Sequence, residues 1–182
     1  MNSKKKPAVF LDRDGTINVD YGYVYQKEKL EFIDGTFKAL RMLQKAGYLL
    51  IIVTNQSGVA RGYFSINELE EFHKYMLSIL DNNGINIDKI YYCPHLKGCD
   101  CRKPKLQMYY RAAEDFDVDF SKSYAIGDKM SDLAICKSEP VKGYLISLSQ
   151  NDEIEKGEAK IKICKSVLEA TIDILGNSKM RN

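Results

Sequence analysis

The chain has 182 residues and an ordinary globular composition, with 45% hydrophobic and 29% charged residues and a net charge of +2. This balance argues against disorder over most of the length, and so small a charge gives no reason to expect a nucleic-acid partner. No apolar run reaches the length of about 18 residues that a membrane span needs, and no signal-peptide core follows the basic first residues. We therefore expect one domain over residues 1–182, cytoplasmic and monomeric, with no membrane partner.

Short apolar runs alternate with helical patterns along the chain. They predict strands over residues 8–12, 49–54, 88–93, 123–127 and 143–148, and helices over 34–46, 66–82, 105–116, 130–138 and 165–175. Apolar runs of this length are typical of central strands in a parallel sheet that is covered on both faces. The alternation predicts an α/β fold with three layers and a doubly wound, mainly parallel sheet. A surface loop is expected over 150–160 and a flexible tail over 177–182.

In doubly wound sheets, ligands bind at the carboxyl ends of the strands. The first four predicted strands lead to residues that can do chemistry, namely Asp12, Thr54, Cys93 and Asp128. Because these strand ends share one edge of the sheet, we expect the residues beside them to form one site.

Two carboxylates follow the first strand, in the run Asp12-Arg13-Asp14-Gly15-Thr16. Alternation places Asp12 and Asp14 on the same side of the chain, and Gly15 permits a sharp turn after them. One carboxylate can attack phosphorus while the other transfers a proton to the leaving oxygen. A Mg²⁺ ion would relieve the repulsion between them. The alternative is a turn with surface acids.

Three further segments could complete a phosphoryl-transfer site. Thr54 can hydrogen-bond a phosphoryl oxygen, and Arg102 and Lys103 can neutralise charge on the transferring group. Asp128 and Asp132 supply acids for a metal. Each segment also has a plainer interpretation, as a capped turn, an exposed basic pair or acids at a helix N-terminus.

These segments, in this order and each after a predicted strand, resemble the haloacid dehalogenase (HAD) phosphatase superfamily over residues 8–148. The resemblance implies that Asp12 is the nucleophile and forms a phospho-aspartyl intermediate. It implies that Asp14 is first the general acid and then the base, and that Thr54 and Lys103 hold the phosphoryl group. Mg²⁺ would be bound by the Asp12 carboxylate, the Asp14 backbone carbonyl and Asp128.

Three cysteines and a histidine form the pattern C-x-H-x3-C-x-C, with Cys93, His95, Cys99 and Cys101. Three thiolates and one imidazole suit a closed, tetrahedral and structural Zn²⁺ site. A redox pair or unligated buried cysteines are the alternatives. A zinc site would brace the loop that carries Arg102 and Lys103. Cys136 and Cys164 fall on helix or strand patterns and are interpreted as core residues.

The Cys–His loop indicates a particular family within this superfamily. Residues 11–18, 20–24, 32–35, 54–62, 91–95 and 101–104 together resemble the heptose bisphosphate phosphatase family, whose close relative is the histidinol-phosphatase domain. The resemblance implies a small-molecule sugar bisphosphate as substrate and no large cap domain. The residues expected to contact the substrate are Asp20, Tyr21, Gly22, Tyr23, Asn55, Gln56, Ser57, Arg102 and Lys129.

Two features depart from the family pattern. Leu106-Gln107 stands where a Pro-Gly turn is usual, and only three residues separate His95 from Cys99. Both departures bear on substrate preference more than on catalysis.

The leading hypothesis is hydrolysis of the 7-phosphate of a heptose 1,7-bisphosphate, for lipopolysaccharide core or another activated heptose. A histidinol-phosphate phosphatase is the alternative enzyme, but its substrate lacks the second phosphate for which Arg102 and Lys129 are candidates. A non-catalytic phospho-ligand binding module is the alternative of another class, and it would be expected to have lost Asp12 or Asp14. The sequence does not decide between the α and β anomers.

Overall fold

A computed structural model describes residues 5–149 and 160–179 of the chain. Its strands are β1 (Ala8–Leu11), β2 (Leu49–Asn55), β3 (Lys89–Cys93), β4 (Tyr124–Gly127), β5 (Lys142–Ile146) and β6 (Ile161–Cys164). They form one sheet in the order β3-β2-β1-β4-β5-β6, and every neighbouring pair is parallel. The predicted doubly wound α/β fold is confirmed.

The first five strands match the predicted runs closely, and the three central ones, β1, β2 and β4, are buried on both faces of the sheet. The sixth strand, β6, was not predicted. It has four residues and only its two ends, Ile161 and Cys164, are buried. An edge strand of this kind lacks the continuous apolar run that identifies a central strand. The loop expected over 150–160 lies outside the described residues, apart from Lys160.

The helices are α1 (Thr36–Lys45), α2 (Ile66–Asn82), α3 (Gln107–Phe116), α4 (Ile135–Ser138) and α5 (Val167–Lys179). A capping box between Ser65 and Glu68 opens α2, at the start of the helix predicted over 66–82. The helix predicted over 34–46 begins later, because the N-cap of α1 is Gly35, in the left-handed conformation. The helix predicted over 130–138 is divided into a 3-10 turn (Met130–Leu133) and α4. Part of the expected tail, 177–179, lies in α5, and 180–182 are outside the described residues.

Alternate residues of the central strands point to opposite faces of the sheet and build two apolar cores. Phe10 and Ile51 pack in one core with Tyr109 of α3. Val9 and Leu40 of α1 belong to the other core. Because the sheet is covered on both sides, its carboxyl edge is where polar groups of neighbouring strands can meet.

Two further expectations concern the described residues. Cys136 and Cys164 are buried in the cores, as their sequence patterns predict. None of the described helices is long and apolar enough to cross a bilayer.

Candidate active site

The site lies at the carboxyl edge of the sheet, where the strand order reverses beside β1. Ligands of doubly wound sheets bind at this switch point. A cavity of about 380 Å³ opens there. Its walls are Asp12, Asp14, Asp20, Gly22, Tyr23, Thr54, Asn55, Gln56, Ser57, Arg102, Lys103, Lys129, Ser131 and Asp132. The structure therefore brings most of the sequence-predicted residues into one cavity.

Lys103 is the buried cation of the cavity. Its Nζ donates to Asp12 Oδ1 at 2.6 Å and to the Val53 carbonyl at 2.6 Å, and it lies 2.7 Å from Asp132 Oδ1. Burial alone would lower the pKa of Lys103, but the carboxylates of Asp12 and Asp132 outweigh it and raise the pKa. A charged ammonium is thus held beside the expected nucleophile.

The strand end of β2 fixes the position of Lys103. The Asn55 side chain donates from Nδ2 to the Lys103 carbonyl at 3.1 Å and accepts from the Lys103 backbone N–H at 3.0 Å. Gln56 Nε2 donates to Thr54 Oγ1 at 2.9 Å. Asn55 and Gln56, which are expected to contact the substrate, also hold Lys103 and Thr54 in place.

Asp14 accepts hydrogen bonds from three side chains. Arg13 donates to both of its oxygens, from Nε at 3.1 Å and from Nη2 at 2.7 Å. Asn18 donates at 2.9 Å and Gln56 at 3.0 Å. Burial would raise the pKa of Asp14, but the Arg13 charge and these hydrogen bonds outweigh it and lower the pKa. The group is therefore held as a carboxylate.

The residues behind Asp14 were not among those predicted from the sequence. Arg13 is completely buried, and its Nη1 lies 3.0 Å from Nε2 of His73, on α2. His73 is also buried. An arginine between two acids at the end of an apolar strand is a signal that could have been used. No sequence pattern identified His73 or Asn18, because each acts through a contact that only the folded chain makes.

Asp12, Asp128 and Asp132 form an acidic cluster, and the first and last of them line the cavity. Each offers an oxygen within 4.8 Å of the others, a grouping that could hold a metal ion. Burial raises the pKa of Asp12 to about 6, although Lys103 opposes the shift. Asp128 Oδ1 is buried with no hydrogen-bond partner. An orphaned carboxylate oxygen beside Asp12 fits a hard cation such as Mg²⁺.

Asp132, which we expected to supply an acid for a metal, also contacts protein groups. Its Oδ1 contacts Lys103 Nζ and its Oδ2 accepts the Lys129 backbone N–H at 2.9 Å. Both oxygens are therefore engaged by protein groups.

Glycine is needed at position 15 for two reasons. Its φ is +80°, and a Cβ there would lie 2.6 Å from Asp128 Oδ2.

The Cys–His loop folds into a compact cluster next to the cavity. Cys93 Sγ lies 2.9 Å from Cys101 Sγ and 3.6 Å from Cys99 Sγ, and His95 Nδ1 lies 3.3 Å from Cys101 Sγ. All four ligand atoms lie within 4.8 Å of one another, which is compatible with tetrahedral Zn²⁺. Burial raises the pKa of Cys93 to about 12. The loop leads directly to Arg102, whose Nη1 donates to the His95 carbonyl.

The mouth of the cavity is formed by Asp20, Tyr23, Arg102 and Lys129, which we call the rim. Lys129 Nζ lies 3.3 Å from Asp128 Oδ2 and 3.6 Å from Asp20 Oδ2. Tyr21 is the exception among the expected substrate contacts: it lies outside the cavity and its hydroxyl donates to Glu31. The chain turns at positive φ after Tyr21, so Tyr23 faces the cavity in its place.

Comparison with known proteins agrees with this geometry. The profile of the family described as polynucleotide kinase 3 phosphatase matches residues 8–164. The fold and the site define a phosphatase of the HAD superfamily, a phosphoric monoester hydrolase.

The relatives specify the family further. A Haemophilus ducreyi protein, D-glycero-beta-D-manno-heptose-1,7-bisphosphate 7-phosphatase, is 43% identical over 93% of this chain and 97% of its own length. A Campylobacter jejuni protein, described for the alpha anomer, is 46% identical over 85% of this chain and 88% of its own. The chain belongs to the heptose-1,7-bisphosphate 7-phosphatase family.

A solved structure agrees with the relatives. The D,D-heptose 1,7-bisphosphate phosphatase from B. bronchiseptica, complexed with magnesium and phosphate, superposes with a TM-score of 0.82. The two chains are 29% identical, and the match covers 94% of this chain and 99% of the other.

Proposed function

We propose that this chain hydrolyses the C7 phosphate of D-glycero-D-manno-heptose 1,7-bisphosphate and releases heptose 1-phosphate for the synthesis of an activated heptose. The observation that carries the proposal is the meeting of Asp12, Asp14, Thr54 and Lys103 in one cavity of a chain with this family membership. The thiolates that the Cys–His cluster would need to bind a metal agree with a reducing, cytoplasmic location.

In the first half of the reaction, a carboxylate oxygen of Asp12 attacks phosphorus and the bond from phosphorus to the C7 oxygen breaks. Asp14 delivers to that leaving oxygen the proton that it took from water in the preceding turnover, and it thereby returns to the carboxylate form that its hydrogen bonds favour. Lys103, which lies 2.6 Å from Asp12, and Thr54 stabilise the charge on the transferring phosphoryl oxygens. The product of this half is a phospho-aspartyl group on Asp12.

In the second half, water attacks the phosphorus of the phospho-aspartyl group. Asp14 takes a proton from that water, the bond to Asp12 breaks and inorganic phosphate leaves. The side chains that donate to Asp14 (Arg13, Asn18 and Gln56) favour the acceptor form that this step needs.

The residues that would hold Mg²⁺ are Asp12, Asp128 and the backbone carbonyl of Asp14. The orphaned Asp128 Oδ1 and the magnesium and phosphate bound by the B. bronchiseptica relative support this set. When bound, the ion would neutralise the carboxylates and polarise the phosphoryl group. The residues Cys93, His95, Cys99 and Cys101 would hold a structural Zn²⁺ that keeps Arg102 and Lys103 in place.

We propose that the rim residues determine which phosphate ester the cavity accepts. A bisphosphate carries a second anionic group, and the two cations at the cavity mouth, Arg102 and Lys129, are placed to meet it. Lys129 is exposed, so it can move from its present partner Asp128 toward a ligand. Tyr23 contributes an exposed aromatic face beside them.

Phosphate release with Mg²⁺ tests the proposal. The substrates are the α and β anomers of heptose 1,7-bisphosphate, histidinol phosphate and a 3′-phosphorylated oligonucleotide, compared by kcat/KM. We expect one heptose anomer to exceed the other two classes by at least about a hundredfold, which corresponds to roughly 2.7 kcal/mol. Preference for histidinol phosphate or for the oligonucleotide would contradict the proposal.

A further inference from the structure

Arg13 supports Asp14 from inside the protein. The side chain is completely buried, and its Nε and Nη2 donate to the two oxygens of the Asp14 carboxylate. Nη2 also donates to the Val24 carbonyl at 2.6 Å. A buried guanidinium needs acceptors for its remaining N–H groups, because an unpaired buried donor is costly.

His73 supplies that acceptor. The residue lies on α2, is 5% exposed, and places Nε2 3.0 Å from Arg13 Nη1. Since the guanidinium carries only donors, His73 Nε2 must accept, and its proton must lie on Nδ1. Burial, together with the Arg13 charge, lowers the pKa of His73 to about 3, so the ring is neutral at ordinary pH. Phe72 lies under the guanidinium, 4.9 Å from Cζ to the ring centroid.

We propose that His73 is a positioning residue for the reaction, which holds the Arg13 guanidinium and through it the Asp14 carboxylate in the orientation used by the hydrolytic half. His73 does not line the cavity. This inference rests on the proposed function, because it takes Asp14 as the residue that receives the proton.

The chemistry identifies which step should respond. In the hydrolytic half, the water oxygen bonds to phosphorus, the bond from phosphorus to Asp12 breaks, and a proton of the water passes to Asp14. Arg13, Asn18 and Gln56 all donate to Asp14, so the carboxylate faces this step as an acceptor. Misplacing an acceptor by about 1 Å can cost on the order of a hundredfold in rate.

Three substitutions separate an orienting acceptor from a packing role. In His73→Gln the amide oxygen can reach the place of Nε2, in His73→Asn it can reach only the place of Nδ1, and His73→Phe keeps the ring without an acceptor. With p-nitrophenyl phosphate, whose leaving group departs without a proton from Asp14, we expect kcat to fall about tenfold for Asn and Phe. KM should fall in parallel, so that kcat/KM changes less than threefold. The Gln variant should stay within about threefold of the wild type in both constants.

The split between the constants follows from the step affected. kcat/KM reports the enzyme up to phosphorylation of Asp12, whereas kcat includes the hydrolysis that follows. A slower second half also gives a burst of leaving group in the first turnover, so rapid mixing with p-nitrophenyl phosphate should show a burst for the Phe variant. A fall in kcat/KM as large as the fall in kcat, or a Gln variant as impaired as the Phe variant, would overturn the proposal.

A measurement on the wild-type protein covers the case in which the Phe variant does not fold. The chain has two histidines, so long-range ¹H–¹⁵N correlation spectra show two rings, and the His73→Gln spectrum assigns them. We expect His73 to be the neutral Nδ1–H form between pH 8 and pH 5. An Nε2–H form or a charged ring in this range would overturn the proposal.

The proposed role of His73 can be tested even if the proposed substrate is wrong. The split between kcat and KM is measured on p-nitrophenyl phosphate, so it does not depend on which phosphate ester is the natural substrate. A wild type that prefers another phosphate ester would contradict the proposed substrate only. A wild type that hydrolyses the heptose bisphosphate, with Phe and Gln variants that behave alike, would contradict the role of His73 only.

Discussion

The floor and the rim of the cavity are built on different physical principles. The floor consists of Asp12, Thr54, Lys103 and Asp132, which are all buried and engaged in hydrogen bonds or ion pairs. The rim residues are half-buried or exposed, and their ion pairs are longer, as between Lys129 and Asp20 at 3.6 Å. A buried ion pair is costly to break and a surface pair contributes little. The floor is therefore suited to unchanging chemistry and the rim to adjustable substrate choice.

Replacing the nucleophile should have the largest effect on activity. Asp12→Asn keeps the shape of the side chain but removes the attacking carboxylate, so turnover should fall by on the order of 10⁴-fold or more. The far-UV circular dichroism spectrum should be unchanged, because Lys103 keeps Asp132 as a partner. Turnover close to the wild-type value would remove Asp12 from the mechanism.

Removing the buried charge of Lys103 should have the largest effect on the free energy of unfolding. Lys103→Met leaves Asp12 and Asp132 facing each other without a countercharge, and losing one partner of a buried pair typically costs about 3–5 kcal/mol. Urea unfolding in the presence of a chelator measures the free energy without a cation that could substitute. Lys103→Arg, which keeps the charge, is the control. Equal stability of the Met variant and the wild type would show that the floor does not depend on this ion pair.

Removing one zinc ligand should have a smaller effect. Cys101→Ser should reduce bound zinc from about one ion per chain to well below one and lower the unfolding temperature, because a structural zinc contributes to folding free energy. The matched control is Cys136→Ala, which removes a buried cysteine outside the cluster and should leave the zinc content unchanged. A wild type without zinc by metal analysis would contradict the assignment of the loop.

Changing the rim should have the smallest effect. Lys129→Ala should raise KM for the bisphosphate about tenfold, which is roughly 1.4 kcal/mol, and should leave the constants for a sugar monophosphate within about threefold. Lys122→Ala, which removes an exposed lysine from the 3-10 turn Phe120–Lys122, is the charge-matched control. An equal rise in KM for the monophosphate would contradict this role. It would indicate that Lys129 affects the binding of the transferred phosphate, through its ion pair with Asp128.

The sequence by itself determined the class of fold and most of the groups that we propose to be catalytic. The central strands are apolar on both faces, and a polar residue at their carboxyl ends is visible without a structure. The close spacing of the cysteines and His95 also placed a candidate metal loop beside Lys103. These signals are local, because each one depends on a few neighbouring residues of the chain.

Only the tertiary structure decided which residues contact the groups that we propose to be catalytic. His73 comes 60 residues after Arg13, and Asp132 comes 29 residues after Lys103, so no local pattern joins these pairs. Residues 20–23 were all predicted to contact the substrate, and the sequence could not show which of the two tyrosines among them faces the cavity. The turn after Tyr21 directs Tyr23 into it. The edge strand β6 was also beyond local reasoning, since its place depends on the strand beside it. Strand ends are specified by sequence, whereas the partners of a buried charge are specified by packing.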